Sequence, residues 1–213
     1  MTIGVFDSGV GGLSVAEAIQ KAYPNFVVEF LSDSANMPYG DKTPDELLAL
    51  AAPILQNLAA RADVIVIACN TLSTTLLPEI KKLIQKPIIA LVPMVKPAAA
   101  MTKSQIIAVC ATPTTLASRR YNELKQAYAK DIKVLQPDCS DWAQMIEHKI
   151  IDQRAIAARI DQVLAAGADV IVLGCTHYHW IEAEIKYLAA GRAQVLQPEP
   201  AIVRELGRVL ADL

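Results

Sequence analysis

The chain has 213 residues, 53% of them apolar and 20% charged, which is enough apolar material for one large core or two small ones and excludes disorder as its main state. Twenty Lys and Arg against 22 Asp and Glu leave a net charge of −2, so there is no basic field for a phosphate backbone. With aromatics at only 5%, a base-stacking platform is absent too, and no nucleic-acid partner is expected.

In chain order, Ile3–Phe6, Val27–Leu31, Val64–Ala68, Ile88–Val92, Ile106–Cys110, Val134–Leu135 and Val170–Leu173 read as strands. They are short, β-branched and mostly apolar on both faces, as buried parallel strands are. Between them, Leu13–Tyr23, Pro44–Ala60, Thr114–Ala129, Ile156–Ala166 and Ile181–Ala189 carry helical spacing and Ala-rich faces. This alternation predicts an α/β fold with parallel sheets and helices on both faces. The run Asn36-Met37-Pro38-Tyr39-Gly40-Asp41 is a turn by composition. Proline-marked boundaries fall at Pro87–Pro97 and at Gln197-Pro198-Glu199-Pro200.

The chain also repeats itself. Residues 62–69 read A-D-V-I-V-I-A-C and residues 168–175 read A-D-V-I-V-L-G-C. Ile3-Gly4-Val5-Phe6-Asp7 parallels Ile107-Ala108-Val109-Cys110-Ala111 at nearly the same offset. Two halves are implied, each a small doubly wound unit. No apolar run is long enough to span a bilayer. The N-terminus runs straight into strand-like sequence without a leader, so no membrane attachment and a cytosolic location are expected. Cys69, Cys110, Cys139 and Cys175 are widely spaced, which in a reducing compartment suits core filling, metal ligation or nucleophilic chemistry better than disulfides.

Ligands of open α/β sheets bind beyond the carboxyl ends of the strands. Three polar motifs fall there: Asp7-Ser8-Gly9, Cys69-Asn70-Thr71 and Cys175-Thr176-His177. Gly9, Gly11 and Gly12 miss the G-x-G-x-x-G spacing, and Asp7 would repel a pyrophosphate, so a tight turn with glycines at positive φ and Asp7 as cap competes with nucleotide binding. A thiol at a helix N-terminus is expected to have a lowered pKa, which suits Cys69 and Cys175 as thiolates. At equivalent places in a repeat, the two sulfurs would flank one cleft. One would take a proton from one face of a carbon while the other delivers a proton to the opposite face, inverting a stereocentre, with Asp7 and His177 tuning the transfer. Cys175, His177 and His179 could alternatively ligate a metal, and two buried structural cysteines are the plainer alternative. No Lys stands in the three motifs to carry pyridoxal phosphate, so a cofactor-free site is the simpler expectation.

Four segments together resemble the glutamate racemases of the cofactor-independent aspartate/glutamate racemase superfamily. They are Gly4-Val5-Phe6-Asp7-Ser8-Gly9-Val10-Gly11-Gly12-Leu13, Pro38-Tyr39-Gly40, Ala68-Cys69-Asn70-Thr71 and Gly174-Cys175-Thr176-His177-Tyr178. The resemblance implies two α/β domains related by a pseudo-twofold axis, here residues 1–93 with 198–213 and residues 94–197, around a site between them. It implies Cys69 and Cys175 as the acid/base pair, assisted by Asp7 and His177, with Glu147 as a further acidic residue on a weaker alignment. It implies substrate contacts at Asp7, Ser8, Tyr39, Gly40, Asn70, Thr71, Thr176 and His177, with Thr112 and Thr115 as further ones. The implied substrate is glutamate, the implied role the supply of D-glutamate for peptidoglycan, and no cofactor or metal is called for. Family members are often dimers, which makes a homodimer an assembly to test, and some bind DNA gyrase, so a binding protein with little turnover is a rival reading. The sequence departs from the family where Pro usually follows His-Tyr and here is His179. It departs also at Ala111 in place of Gly, at Ser140-Asp141-Trp142, and in stopping at Leu213, shorter than typical members. These departures leave aspartate as an alternative substrate.

Overall fold

The computed structural model describes all 213 residues. Its first sheet holds β1 (Thr2–Asp7), β2 (Val27–Ser32), β3 (Val64–Ile67) and β4 (Ile88–Ala90) in the order β2-β1-β3-β4. The second holds β5 (Ile106–Cys110), β6 (Lys133–Leu135), β7 (Val170–Leu173) and β8 (Gln194–Leu196) in the order β6-β5-β7-β8. All pairings are parallel, and the two orders are the same once β1 is matched to β5 and β3 to β7. This matches the sequence repeat, which covers the two central strands β3 and β7.

Helices cover both faces of each sheet. In the first half these are α1 (Leu13–Ala22), α2 (Pro44–Ala59) and α3 (Asn70–Leu83). In the second they are α4 (Val95–Met101), α5 (Pro113–Ala117), α6 (Arg119–Tyr128), α7 (Trp142–Glu147), α8 (Gln153–Ala165) and α9 (Glu182–Ala189), and α10 (Glu199–Ala211) closes the chain. Alternation along the strands sorts the core. Ile3, Val5, Val64 and Val66 pack with Val15, Ile19, Ile202 and Leu206, so α10 returns to the first sheet beside α1. Phe6, Ile65 and Ile67 pack on the other face against Leu55, Leu58 and Leu76 of α2 and α3. Strands buried on both faces read as continuous apolar runs for this reason.

The repeated Asp before each central strand is structural. Asp63 Oδ2 accepts from Thr2 N at 2.8 Å, and Asp169 accepts from Thr102 Oγ1 at 2.5 Å and from the N–H groups of Lys103 and Ser104 at 2.7 and 2.9 Å. Each therefore pins the start of the neighbouring strand.

Several expectations need correction. The segment expected as one helix over Thr114–Ala129 is two, because Ser118 leaves the helical region at ψ 146° and its Oγ accepts from Tyr121 N, capping α6. The fourth strand ends at Ala90 rather than Val92. β8 was not expected, being three residues long and half-buried at an edge. The edge strand β2 is not apolar on both faces; Val27 is exposed. Helices α3, α4 and α7 were not expected: α3 buries Leu72, Leu76 and Ile80 at helical spacing but is Thr-rich and contains Pro78, and the other two are short. No helix is long and apolar enough to cross a membrane.

Candidate active site

The carboxyl ends of β1, β3 and β7 all face one cleft between the halves. Its lining includes Ser8, Tyr39, Gly40, Cys69, Asn70 and Thr71 from the first half, and Thr112, Cys175, Thr176 and His177 from the second. Met37, Asp41, Ser140 and Ala143 also line it. The cavity volume is about 20 Å³, room for little more than a water molecule.

Cys69 caps α3, its Sγ accepting from Leu72 N at 3.5 Å and donating to Ser8 Oγ at 3.6 Å. Cys175 precedes a six-residue 3-10 turn, Thr176–Ile181, rather than an α-helix. The expected lowering of the thiol pKa is overturned. Burial, with Asp7 adding to it, pushes Cys69 up to about 12 and pushes Cys175 up as well. Desolvation and a like charge outweigh the stabilisation that a helix N-terminus offers. Burial thus favours the neutral thiol at both positions.

His177 lies between Cys175 and Glu147. Its Nε2 is 2.7 Å from Glu147 Oε2, and its Nδ1 is 3.9 Å from Cys175 Sγ. With Nε2–H donating to the carboxylate, Nδ1 is left as the acceptor for the Cys175 S–H, a base oriented by a third group. Glu147 Oε2 also accepts from Val10 N at 3.1 Å, so the pair reaches across the cleft to the opposite half.

Asp7 is fully buried and does not line the cavity. It accepts from Gly12 N at 2.9 Å and Gly9 N at 3.3 Å, and Thr176 Oγ1 from the other half donates to it at 3.2 Å. Burial raises its pKa against the opposing effects of His177 and these hydrogen bonds. The glycines of this turn were expected at positive φ, but Gly9 is extended at φ −157° and Gly12 has φ −71°. The other half explains two of them instead. A Cβ on Gly11 would lie 2.5 Å from His177 N, and one on Gly9 2.7 Å from Glu147 Oε2 and 2.8 Å from His177 Nε2.

On the opposite wall, Thr71 Oγ1 and Thr112 Oγ1 are 3.0 Å apart. Thr115 is buried behind them, 3.0 Å from Thr112 Oγ1. Tyr39 donates to Asp33 Oδ2 at 2.7 Å, while Asn36 donates to Asp33 Oδ1. Sequence reasoning missed Asp33; its only cue is its place just past the end of β2. Both side-chain polar atoms of Asn70 are buried without a partner. Such an amide at a cleft wall calls for a ligand with both donors and acceptors.

The metal alternative required Cys175, His177 and His179 to converge. His177 Nε2 faces Glu147 and His179 Nδ1 faces Glu199, so the three donors diverge, and no group of three His, Cys, Asp or Glu side chains is arranged to hold a metal ion.

Residues 12–206 match the Asp/Glu/Hydantoin racemase family. The glutamate racemase of Roseiflexus sp. (strain RS-1) is 35% identical over 99% of this chain and 79% of the relative. That of Shewanella baltica (strain OS155) is 37% identical over 98% of this chain and 78% of the relative. Among solved structures, Escherichia coli glutamate racemase in complex with L-glutamate and the activator UDP-MurNAc-ala superposes with a TM-score of 0.89 at 27% identity, over 99% of this chain and 82% of the other.

Proposed function

The chain belongs to the Asp/Glu/hydantoin racemase family, and from that premise we propose that it interconverts L- and D-glutamate through Cys69 and Cys175 without a cofactor. The observation that carries this reading is the pair of buried thiols, each at the end of the equivalent central strand of its half, lining one cleft.

In this mechanism one cysteine, as thiolate, takes the Cα proton from one face. The electron pair delocalises into the α-carboxylate, and the S–H of the other cysteine protonates the opposite face. The enzyme ends each turnover with the protonation of its thiols exchanged, ready for the reverse reaction. Since burial favours the neutral thiol at both positions, the base is made when substrate binds. For Cys175 the acceptor is His177 Nδ1, with Glu147 stabilising the imidazolium. The substrate ammonium offsets the Asp7 charge that holds both thiols up. N–H groups at the start of α3, the hydroxyls of Thr71, Thr112 and Thr176, and the Asn70 amide receive the carboxylates and the charge that develops on them. Residues 1–93 with 198–213 and residues 94–197 act as the two bodies that close on the substrate. Production of D-glutamate in the cytosol, for peptidoglycan, is the role that follows.

The test is incubation of the metal-stripped protein with L-glutamate in deuterated water, with D-glutamate and both aspartate enantiomers in parallel. Optical rotation should decay from either glutamate enantiomer, and the product should carry deuterium at Cα while recovered substrate stays protonated. Cys69→Ser and Cys175→Ser should each nearly abolish racemisation, a loss of at least about 10³-fold. Near wild-type rates in both serine variants would sink the mechanism. Turnover of aspartate alone would change the substrate and keep the chemistry.

A further inference from the structure

The loop that carries Cys175 and His177 is a 3-10 turn, whose hydrogen bonds are poorer than those of an α-helix, so side-chain anchors matter to its position. One anchor is Glu147 on His177. A second lies two residues further on and serves no step of the mechanism. The ring of His179 is buried, 3% exposed, with Nδ1 3.2 Å from Glu199 Oε1 and 3.4 Å from Ser14 Oγ. Ser14 in turn donates to Gly11 O at 3.2 Å, in the turn packed against His177. Glu199 opens α10, just past the point where the chain leaves β8 to return to the first sheet, and Gln197 Oε1 accepts from its N–H at 3.0 Å. Burial opposes ionisation of Glu199, yet the hydrogen bond and charge of His179 hold its pKa below the usual carboxylate range. The three side chains thus join the catalytic loop of one half, the first helix of the other, and the crossover between them.

His179 Nε2 is buried with no partner in either tautomer. An unsatisfied buried nitrogen costs stability, and a proline or alanine at this position would avoid that cost. The ring is thus held by its Nδ1 side alone, through Glu199 and Ser14.

We propose that His179 is a positioning residue, clamped by Glu199 and Ser14, that sets the place of Cys175 relative to the first half of the molecule. The clamp acts on Cys175 and leaves Cys69, on α3 of the opposite wall, alone. Its catalytic consequence rests on the racemase reading; its effect on thiol access does not.

The test is site-resolved alkylation of the full chain by iodoacetamide, read by mass spectrometry, alongside glutamate kinetics. His179→Ala and Glu199→Ala should each accelerate labelling of Cys175 by about threefold or more while Cys69 changes little. His179→Asn, whose amide N–H stands in for Nδ1–H, should restore the wild-type rate. Glu199→Ala keeps the inference testable if His179→Ala does not fold. In turnover, kcat should fall about tenfold with KM within about twofold, since misplacement of a reacting group by a fraction of an ångström is felt in kcat. Because the two enantiomers are equal in free energy, kcat/KM must fall equally in both directions. The primary isotope effect with α-deuterated substrate should therefore rise only in the direction in which Cys175 removes the proton. Equal acceleration of both thiols, or of neither, would overturn the clamp. Altered Cys175 labelling in a protein that turns over no glutamate would uphold the clamp and reject the racemase reading.

Discussion

Asp7 concentrates the electrostatic conflict of the site in one side chain. It is fully buried without a cationic side chain bonded to it, and its charge raises both Cys69 and Cys175. A carboxyl whose folded-state pKa lies above its unfolded value stabilises the fold below the unfolded pKa. That contribution is lost as pH rises through the folded value, so at neutral pH the ionised group is a net cost. Asp7→Asn retains an acceptor for Gly9 and Gly12 N–H and a donor for the Thr176 hydroxyl. We expect it to raise Tm by a few degrees, measured at pH 7, and to narrow that gain as pH falls through the carboxyl range. It should also lower both thiol pKa values, followed by thiolate ultraviolet absorbance, while reducing kcat by about 10²-fold through loss of the tuned acid/base pair. An unchanged thiol titration would show that Asp7 does not act on the cysteines. The identities of these residues were legible in the sequence because strand ends in an α/β fold are chemically exposed places. Their protonation was not, because the helix N-terminus is visible as a pattern whereas the desolvation that outweighs it arises only when the two halves meet.

At the level of elements, the Gly-rich turn and the 3-10 loop form one joint. Gly11 sits where the backbone of His177 passes, and Gly9 where the His177–Glu147 pair sits. Backbone at 2.5 Å from a new Cβ cannot move aside as a flexible side chain would. Gly11→Ala should therefore hold the halves apart by a few tenths of an ångström or more. Its conformation, inside the short 3-10 turn Val10–Gly12 and not at positive φ, suits alanine, so Tm should change little while kcat falls by about 10²-fold. A large loss of Tm with preserved kcat would place the role of this glycine in the fold rather than in closure. The sequence marked these glycines as special, but by the wrong physics: they leave room for another chain segment rather than supplying an unusual φ. Long-range approach leaves no local trace, and the same is true of Glu147. It ends the short helix α7, where it reads as a solvated surface residue, yet it lies 2.7 Å from His177. The parallel strands and the repeat are local properties of the chain and were legible throughout, except for the half-buried edge strand β8.

The whole molecule is two similar sheets joined by two crossings, after β4 and before α10, with the candidate site on the seam. The cavity of about 20 Å³ is too small for an amino acid bearing two carboxylates, so on the racemase reading proposed above the halves must part to admit substrate. Cysteine reactivity reports that motion because the four thiols fall into two classes. Cys69 and Cys175 line the cleft and are 4% and 8% exposed, whereas Cys110 and Cys139 are 0% and 1% exposed inside the second core. Neutral, buried thiols alkylate only when an opening both hydrates them and lets them ionise. Labelling of Cys69 and Cys175 should thus be slow, rise together with temperature well below Tm, and fall about tenfold or more when saturating glutamate holds the cleft shut. Cys110 and Cys139 should stay unlabelled until global unfolding. If all four thiols instead reacted at one rate, unprotected by glutamate, the openings that expose the cleft would be unfolding events. The division into two moving bodies would then fail, and with it the account of how substrate reaches two cysteines on opposite walls.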